Sequence, residues 1–250
     1  ATRVAEDGYI EKGYENLLLQ SNSFTTSPWN NQNLAYTLTS GQTGYDSSSD
    51  AWLLNKDVSG NAYLRQSINA GLCTLSLYAK AGSESGLMIY TPGGYVFWNL
   101  TTGTQIGNIS GGGIDANIVS VGTDGWYRCS VTATYTNVFY IQVVNSTGSN
   151  ATTGSIYIQD AQLNQGIAAM PYLPTTTTTS VGGILANQPR IDFTGGGCGS
   201  LLLEPSRTNL ITNSNYFEGF WSSANTSEIY NNEISPEGLQ NAVKVYPTTT

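Results

Sequence analysis

Aromatic and amide side chains are the residues of this sequence best suited to chemistry at a protein surface. The chain carries 16 Tyr and 5 Trp residues. Aromatic rings stack on the C–H faces of sugars, and amides or guanidinium groups bind sugar hydroxyls in a concave site. The residue types therefore predict carbohydrate binding. The candidate contacts on predicted strands are Tyr78, Tyr90, Trp126, Arg128 and Gln142, and the candidate in a predicted loop is Trp98. Further residues of these types are Lys80 and Tyr140 on strands and Tyr45 and Tyr95 in loops.

Each candidate also has a purely structural interpretation. Trp126 opens a predicted strand after a turn, where a large ring often closes the edge of a sandwich. Tyr78 could pack against a neighbouring subunit, and Arg128 could pair with an acid such as Glu84. The sequence leaves these alternatives open.

Catalysis has little support in the composition. The chain contains no His, which excludes Ser–His–Asp and Cys–His nucleophiles and His-ligated zinc and iron sites. Two carboxylates alone can hydrolyse glycosides. The 17 acidic residues, however, show no spacing that singles out one pair. We therefore predict a protein without enzymatic activity and without catalytic residues.

The charge pattern excludes two classes of partner. The net charge is −8, and the nine Lys and Arg residues are scattered singly. Binding to nucleic acid or to an anionic membrane surface needs clustered positive charge, so neither is predicted. No apolar run approaches the roughly 18 residues that would span a bilayer.

Alternation of apolar and polar residues predicts β-strands throughout the first two thirds of the chain. In Leu72–Lys80, for example, every second residue from Cys73 to Ala79 is apolar. Gly-rich and Asp-Gly turns separate such segments, and no long helical periodicity occurs. Further predicted strands are Trp126–Thr134, Phe139–Val144 and Ser155–Leu163. The pattern predicts an all-β, antiparallel β-sandwich.

Three cysteines are too few for a disulfide framework, and an odd number cannot all pair within one chain. Cys73 and Cys129 fall on the apolar sides of predicted strands, so they could be buried neighbours. We favour free core thiols over a disulfide, because unpaired Cys buries readily. Cys198 lies in a Gly-rich segment.

An internal repeat suggests a second domain. Asn16–Phe24 (NLLLQSNSF) resembles Asn209–Phe217 (NLITNSNYF), and a Trp follows each copy, although chance in a biased composition could produce such a match. Asp50–Leu54 loosely matches Asn241–Val245. The predicted organisation is a linker at 1–14, a sandwich domain at 15–174, a Thr/Gly-rich linker at 175–202, and the beginning of a second, incomplete domain at 203–250. Either the chain continues past Thr250 or another subunit supplies the missing strands, and we favour continuation of the chain.

Several motifs resemble the jelly-roll, carbohydrate-binding-module-like domains of bacteriophage head-spike, head-fibre and tail-fibre proteins. They occur in the order found in those domains, as NLL.QS..F....W from Asn16, LSLYAKAG from Leu75, DGWYRCSVT from Asp124 and IYIQDAQLNQG from Ile156. The resemblance implies an antiparallel jelly-roll β-sandwich in a non-enzymatic virion component at the virion surface. It implies other virion proteins and host cell-surface glycans as partners, and assembly as a homotrimer.

The same resemblance implies that a structural calcium ion is possible, where the first and last strands meet. Asp160 is the residue that matches the acid of the closing strand, although Thr25 stands where such modules usually have a further acid. Asp46 and Asp50 form a rival oxygen-rich loop. No other cofactor is expected.

Two other functions remain open. The chain could be a carbohydrate-binding module of a larger, secreted bacterial hydrolase, or a purely structural virion decoration or adaptor protein with no ligand. Flanking sequence would separate the first of these from a fibre protein, and a glycan array would separate the second from both.

Overall fold

The computed structural model describes residues 2–92, 94–111, 113–184, 189–202, 210 and 224–248. Within these residues the secondary structure is almost entirely β, and a single 3-10 turn, Gln32–Leu34, is the helical element. No described helix has the length and apolar character needed to cross a membrane. The all-β prediction is confirmed.

Two six-stranded antiparallel sheets form a jelly-roll β-sandwich. Sheet 1 has the order β11–β10–β9–β14–β7–β4, with the bounds Asn30–Asn31 (β4), Leu64–Ser67 (β7), Gly86–Thr91 (β9), Gly94–Asn99 (β10), Thr104–Ser110 (β11) and Val138–Val144 (β14). Sheet 2 has the order β12–β13–β8–β15–β6–β5, with the bounds Tyr36–Gln42 (β5), Ala51–Lys56 (β6), Gly71–Ala81 (β8), Gly113–Val121 (β12), Trp126–Tyr135 (β13) and Gly154–Gln165 (β15). The four strands predicted by alternation are β8, β13, β14 and β15.

The core lies between the two sheets, where the alternating apolar residues meet. From β8, Cys73, Leu75, Leu77 and Ala79 are all fully buried, as the alternation predicts. Their inward direction follows from the two-residue repeat of a strand, which places every second side chain on one face.

The cysteines are free thiols. In the pairing of β8 with β13, Cys73 lies opposite Ala133 and Cys129 opposite Leu77, so the two thiols are not neighbours. Burial raises the pKa of the Cys73 thiol to about 12 and also raises the pKa of the Cys129 thiol. Both are therefore held in the unreactive protonated form. Cys198 is free and exposed.

The repeated motif at Asn16 begins the sandwich with a buried amide. The Asn16 Nδ2 atom donates to the Leu173 carbonyl at 2.8 Å, and Oδ1 accepts from the backbone N–H groups of Leu18 (3.1 Å) and Leu163 (3.2 Å). One side chain thus joins the first residues of the sandwich to its last strand and to the segment that follows. The second copy, Asn209–Phe217 with Trp221, lies outside the described residues apart from Leu210.

The described chain divides into two compact units, and their limits differ from the predicted domains. Unit 2, the sandwich, comprises residues 16–165 and 169–180, whereas unit 1 comprises 1–15, 166–168 and 181–250. The segments predicted as linkers contain short strands. The remaining strands are Thr2–Val4 (β1), Ile10–Lys12 (β2), Tyr14–Asn16 (β3), Ser180–Gly182 (β16), Arg190–Asp192 (β17), Ser200–Leu202 (β18), Thr226–Ile234 (β19) and Gln240–Pro247 (β20).

Unit 1 brings together residues that are far apart in the sequence. The backbone N–H of Val4 donates to Asp192 Oδ1 at 2.9 Å, and the N–H of Phe193 donates to the Val4 carbonyl at 3.1 Å. Arg190 Nη1 donates to the Thr2 carbonyl at 2.7 Å. Of the predicted second domain at 203–250, the described part is chiefly the antiparallel hairpin β19–β20.

Candidate functional site

A groove with a volume of about 600 Å³ lies on the outer face of sheet 1. Strands β9, β10 and β14, the segment before β7 and the loop after β14 supply its walls. The residues that line it are Asn61, Tyr63, Met88, Tyr90, Tyr95, Phe97, Tyr140, Gln142, Gly148, Ser149 and Asn150. Five of these are aromatic, and the polar ones are amides, a hydroxyl and backbone groups.

The register of sheet 1 creates a row of aromatic residues across the strands. Tyr140 lies opposite Tyr90 on one side and opposite Arg65 on the other, and Tyr90 in turn lies opposite Tyr95. Directly opposed residues in an antiparallel pair point to the same face. The Tyr90 and Tyr140 ring centroids are 5.1 Å apart, and Tyr63 places its ring 4.7 Å from that of Tyr140.

A chain of amides lies beside the aromatic row. Gln142 is buried at the base of the groove and donates to Asn150 Oδ1. Asn150 Nδ2 donates to Asn61 Oδ1 at 2.9 Å. These bonds hold the three amides in defined orientations, which suits them to the recognition of hydroxyl groups.

A glycine allows the loop of the groove to approach the aromatic wall. Gly148 has a φ of 82°, and a Cβ atom at this position would lie 3.2 Å from the Phe97 ring. Asn145 shapes the same loop, because its Oδ1 accepts from the backbone N–H groups of Thr147 (3.0 Å) and Ser149 (2.9 Å). The loop is therefore set against Phe97 by its own hydrogen bonds.

The ionisable side chains in the described lining of the groove are tyrosines. This lining contains no Asp or Glu residue. Burial, with the neighbouring Tyr140 and Tyr90, raises the pKa of Tyr63. That phenol therefore remains a neutral group that can donate or accept a hydrogen bond.

Two of the predicted contacts, Tyr90 and Gln142, lie in this groove. Three others lie together on the outer face of sheet 2 but are packed within the protein. Tyr78 stacks on Tyr45 with ring centroids 3.7 Å apart, and Trp126 is buried in the same cluster. The Arg128 guanidinium lies 5.5 Å from the centroid of the Tyr78 ring, donates to Ser76 Oγ at 3.1 Å and also donates to the Met170 carbonyl.

The outer face of sheet 2 is covered because the chain returns across it after β15. Gln162 Nε2 donates to the carbonyls of Met170 (2.8 Å) and Pro171 (3.1 Å), and the backbone N–H of Leu173 donates to Gln162 Oε1 at 2.8 Å. The alternation in β8 and β13 suggested an accessible second face there. That expectation is wrong for Tyr78 and Trp126. Both are buried by the segment that returns after β15 and by the loop that carries Tyr45.

Trp98 is also misplaced by the sequence interpretation. It was expected in a loop, but it lies in β10 opposite Leu87 and is fully buried in the core. Its neighbour Phe97 faces the groove instead. Adjacent aromatic residues cannot reveal from their types alone which of them points inwards.

The sequence interpretation missed Tyr63, Asn61 and Asn150 as groove residues. Tyr63 and Asn61 precede β7, and Asn150 follows β14, so none of them lies in a predicted strand. Their contribution depends on loop conformation, for which the sequence provides no periodic signal. Tyr140 was identifiable because it is two residues from Gln142 in a predicted strand.

Asp160, the predicted calcium ligand, is a buried carboxylate among tyrosines. The Tyr45 hydroxyl donates to Asp160 Oδ2 at 3.0 Å, and the Asp160 backbone N–H donates to Asn22 Oδ1 at 3.2 Å. In the nearby loop, Gln159 Nε2 donates to Asp50 Oδ1 at 2.7 Å and to Asp46 Oδ1 at 3.3 Å.

Calcium requires six to eight oxygen ligands. Among the residues that the structure describes, no three His, Cys, Asp or Glu side chains are grouped to hold a metal ion. Calcium binding at Asp160, or at the loop of Asp46 and Asp50, stays a prediction.

Asp160 is expected to make the stability of the sandwich depend on pH. Burial raises the pKa of this carboxyl, which is only 6% exposed, to about 6 from its usual 3.8. Folding therefore favours the protonated form. This contribution is fully present below about pH 4 and is lost as the pH rises through about 6. The loss amounts to at most about 3 kcal/mol.

Asp160→Asn removes the titration and keeps an acceptor for Tyr45. Between about pH 4 and pH 7.5, urea denaturation should show the variant gaining about 2–3 kcal/mol relative to the unsubstituted protein. Asp57→Asn, at an exposed position, is the matched control and should show no such gain. Parallel pH profiles for Asp160→Asn and the unsubstituted protein would contradict the prediction.

The chain matches no protein-family model, and no curated protein matches it. Among solved structures, it is similar to a mutant of a carbohydrate-binding module of family 29, with 12% identity and a TM-score of 0.34 over 62% of this chain and 94% of that one. It is also similar to the N-terminal part of endo-1,4-beta-D-xylanase 10B of Clostridium thermocellum, with CBM22-1 and GH10 modules, complexed with xylohexaose. That match has 11% identity and a TM-score of 0.34, and covers 64% of this chain and 29% of the other.

Proposed function

We propose that unit 2 binds glycans in the groove on sheet 1 and does not hydrolyse them. The observation that carries the proposal is the row of Tyr140, Tyr90 and Tyr95 across neighbouring strands, with Gln142 and Asn150 beside it. Aromatic rings contact the apolar faces of sugars, and the amides bind the hydroxyls at their edges. The described lining has no carboxylate, which supports binding without catalysis.

The direction of the row supports a chain-like ligand. With Arg65, the row crosses four neighbouring strands, and strands lie about 4.8 Å apart, so it extends over roughly 15 Å. This length accommodates more than one sugar unit. The ligand would lie across the strands, with its rings over the tyrosines.

Loss of the central rings should abolish glycan binding. Tyr90→Ala and Tyr140→Ala each remove a stacking surface, so each should weaken binding by about tenfold or more, and the double variant should leave no measurable binding. Tyr90→Phe keeps the ring and should retain most of the affinity. A glycan array would identify a ligand, and isothermal titration calorimetry would measure each variant.

The matched control is Tyr246→Ala, at a tyrosine on β20 that is 40% exposed and outside the groove. Its affinity should equal that of the unsubstituted protein. If no glycan binds the unsubstituted protein, the purely structural function becomes the better account. Binding that survives the double variant would place the site elsewhere.

For the biological setting, we infer a virion fibre or spike component that attaches to host glycans. The motifs shared with phage jelly-roll domains support this role, together with assembly as a homotrimer and contact with other virion proteins. A module of a secreted bacterial hydrolase would use the same groove. Mass spectrometry of purified particles tests the virion role: the chain should be present there at a multiple of three copies. Its recovery only as part of a secreted hydrolase would overturn that role.

A further inference from the structure

Arg65 continues the tyrosine row of the groove onto β7. It lies opposite Tyr140 on one side and opposite Asn30, on β4, on the other. Directly opposed residues of an antiparallel pair share one face, and their Cβ atoms are about 5 Å apart. Leu64, the preceding residue of the strand, is fully buried in the core, so the Arg65 side chain points outwards with the rings. The row of rings is therefore followed by a positive charge.

A hydrogen bond orients the Arg65 guanidinium. The Nε atom donates to Asn30 Oδ1 at 3.2 Å, and the side chain is half-buried. Because this bond uses Nε, the donors that face a ligand are the Nη1 and Nη2 groups at the end of the guanidinium. Two parallel N–H groups of this kind match the two oxygens of a carboxylate. Arg65 is thus arranged to bind a planar anion at the end of the row.

Arg65 is the cationic side chain on the outer face of sheet 1. The Lys and Arg residues of unit 2 are Lys56, Arg65, Lys80 and Arg128. Lys80 and Arg128 lie on β8 and β13, which are strands of sheet 2. Lys56 is fully buried and donates to the Ala151 carbonyl at 2.8 Å. The strands of sheet 1, within the bounds given above, contain no Asp or Glu, so the charge of Arg65 is not balanced within its own sheet.

The charge of the whole protein opposes the binding of anions. The net charge of −8 repels an acidic ligand at long range, and salt screens that repulsion. A preference for an anionic ligand must therefore come from a close contact with a positive group. A hydrogen bond between a guanidinium and a carboxylate is such a contact, and it is roughly twice as strong as one between neutral groups.

We propose that the groove binds acidic glycans, and that Arg65 pairs with the carboxylate of a sugar stacked on Tyr140. Uronic acids and sialic acids both carry such a carboxylate. This assignment rests on the glycan-binding function proposed above and adds the class of glycan. Tyr90 and Tyr95 contact the neighbouring sugars, which need no charge.

The probes are tri-galacturonate and sialyllactose, which separate the two sources of the carboxylate, and each is paired with its methyl ester. Esterification removes the charge and leaves the rings and hydroxyls in place. Isothermal titration calorimetry with the full chain should show that at least one acid binds about tenfold or more tightly than its ester. Raising the salt concentration should weaken binding of that acid and leave binding of its ester nearly unchanged.

Substitutions of Arg65 locate the contact. Arg65→Gln removes the charge and should abolish the preference for the acid, while the affinity for the ester stays within about twofold. Arg65→Lys keeps the charge but lacks the paired donors, so it should recover only part of the preference. Lys244→Gln, at an exposed residue of β20 in unit 1, removes the same charge elsewhere and is the matched control. It should keep the full preference, and urea denaturation of each variant checks that the sandwich remains folded.

The outcomes distinguish failure of this assignment from failure of glycan binding itself. If neutral glycans bind but neither acid binds more tightly than its ester, glycan binding stands and the acidic class is wrong. A preference for the acid that survives Arg65→Gln would place the carboxylate elsewhere. Equal loss of acid and ester binding in Arg65→Gln would reduce Arg65 to a structural partner of Asn30. If no glycan binds the unsubstituted protein, the proposed function fails, and the acidic class fails with it.

Discussion

Replacing Trp98 with alanine is expected to lower the free energy of unfolding of the sandwich by about 3–5 kcal/mol. The indole is fully buried between the sheets, where it lies opposite Leu87 and packs in the main core. Its removal leaves a cavity that the surrounding strands cannot fill, because their backbones are held by the ladder of sheet 1. Urea denaturation followed by tryptophan fluorescence and circular dichroism measures the effect.

Trp98→Phe separates packing from hydrogen bonding. Among the described residues the Trp98 Nε1 atom has no acceptor, so the phenylalanine variant loses no hydrogen bond. It should cost about half of the alanine effect or less, since an aromatic ring is retained. If Trp98→Ala cost less than about 1 kcal/mol, the original loop interpretation of this residue would be the better one.

Replacing Asn16 with alanine should destabilise the sandwich by about 3 kcal/mol or more, because it leaves several buried backbone groups without partners. The Asn16 amide forms hydrogen bonds with backbone groups of Leu173, Leu18 and Leu163. Asn16→Asp keeps the shape but removes the donor and buries a carboxylate. Near neutral pH, Asn16→Asp should therefore lower the free energy of unfolding at least as much as Asn16→Ala does. The loss should be smaller in acid, where the carboxyl is protonated.

Asn99→Ala is the matched control for Asn16. The Asn99 Oδ1 atom also accepts from backbone N–H groups, those of Thr101 and Thr102, but it does so in an exposed turn. Water can replace its bonds, so the expected cost is below about 1 kcal/mol. Equal effects at both sites in chemical denaturation would show that burial of the Asn16 amide is unimportant.

The inward faces of the strands were predictable because apolar residues recur at every second position. Cys73 to Ala79 are an example, and Tyr90 and Gln142 were found by the same reasoning as neighbours of inward-facing residues. The alternation assigns two faces to each strand but does not state what covers the second face. Tyr78 and Trp126 are buried by Tyr45 and by the return of the chain at Met170, which are distant in sequence.

The rest of the groove depends on geometry that no local pattern carries. Tyr63 contributes because the loop before β7 brings its ring to Tyr140, and Asn150 because the loop after β14 turns back over Gln142. The choice between Phe97 and Trp98 as the inward residue is set by the register of β9 with β10. Strand register depends on residues that are distant in sequence. Composition and spacing could therefore indicate the kind of site but not all of the residues that form it.

The bonds that join Thr2 and Val4 to Arg190, Asp192 and Phe193 have a mechanical consequence. These residues precede and follow the whole sandwich in the chain, so a pulling force that enters before Thr2 and leaves after Phe193 passes through the bonds between them. Unit 2 carries no tension while those bonds hold. The ladder of sheet 1, and with it the spacing of the tyrosine row, is thereby protected from stretching. The pulling force would act on the sandwich only after these hydrogen bonds break. Unfolding of the sandwich would then lengthen the chain and dissipate mechanical energy.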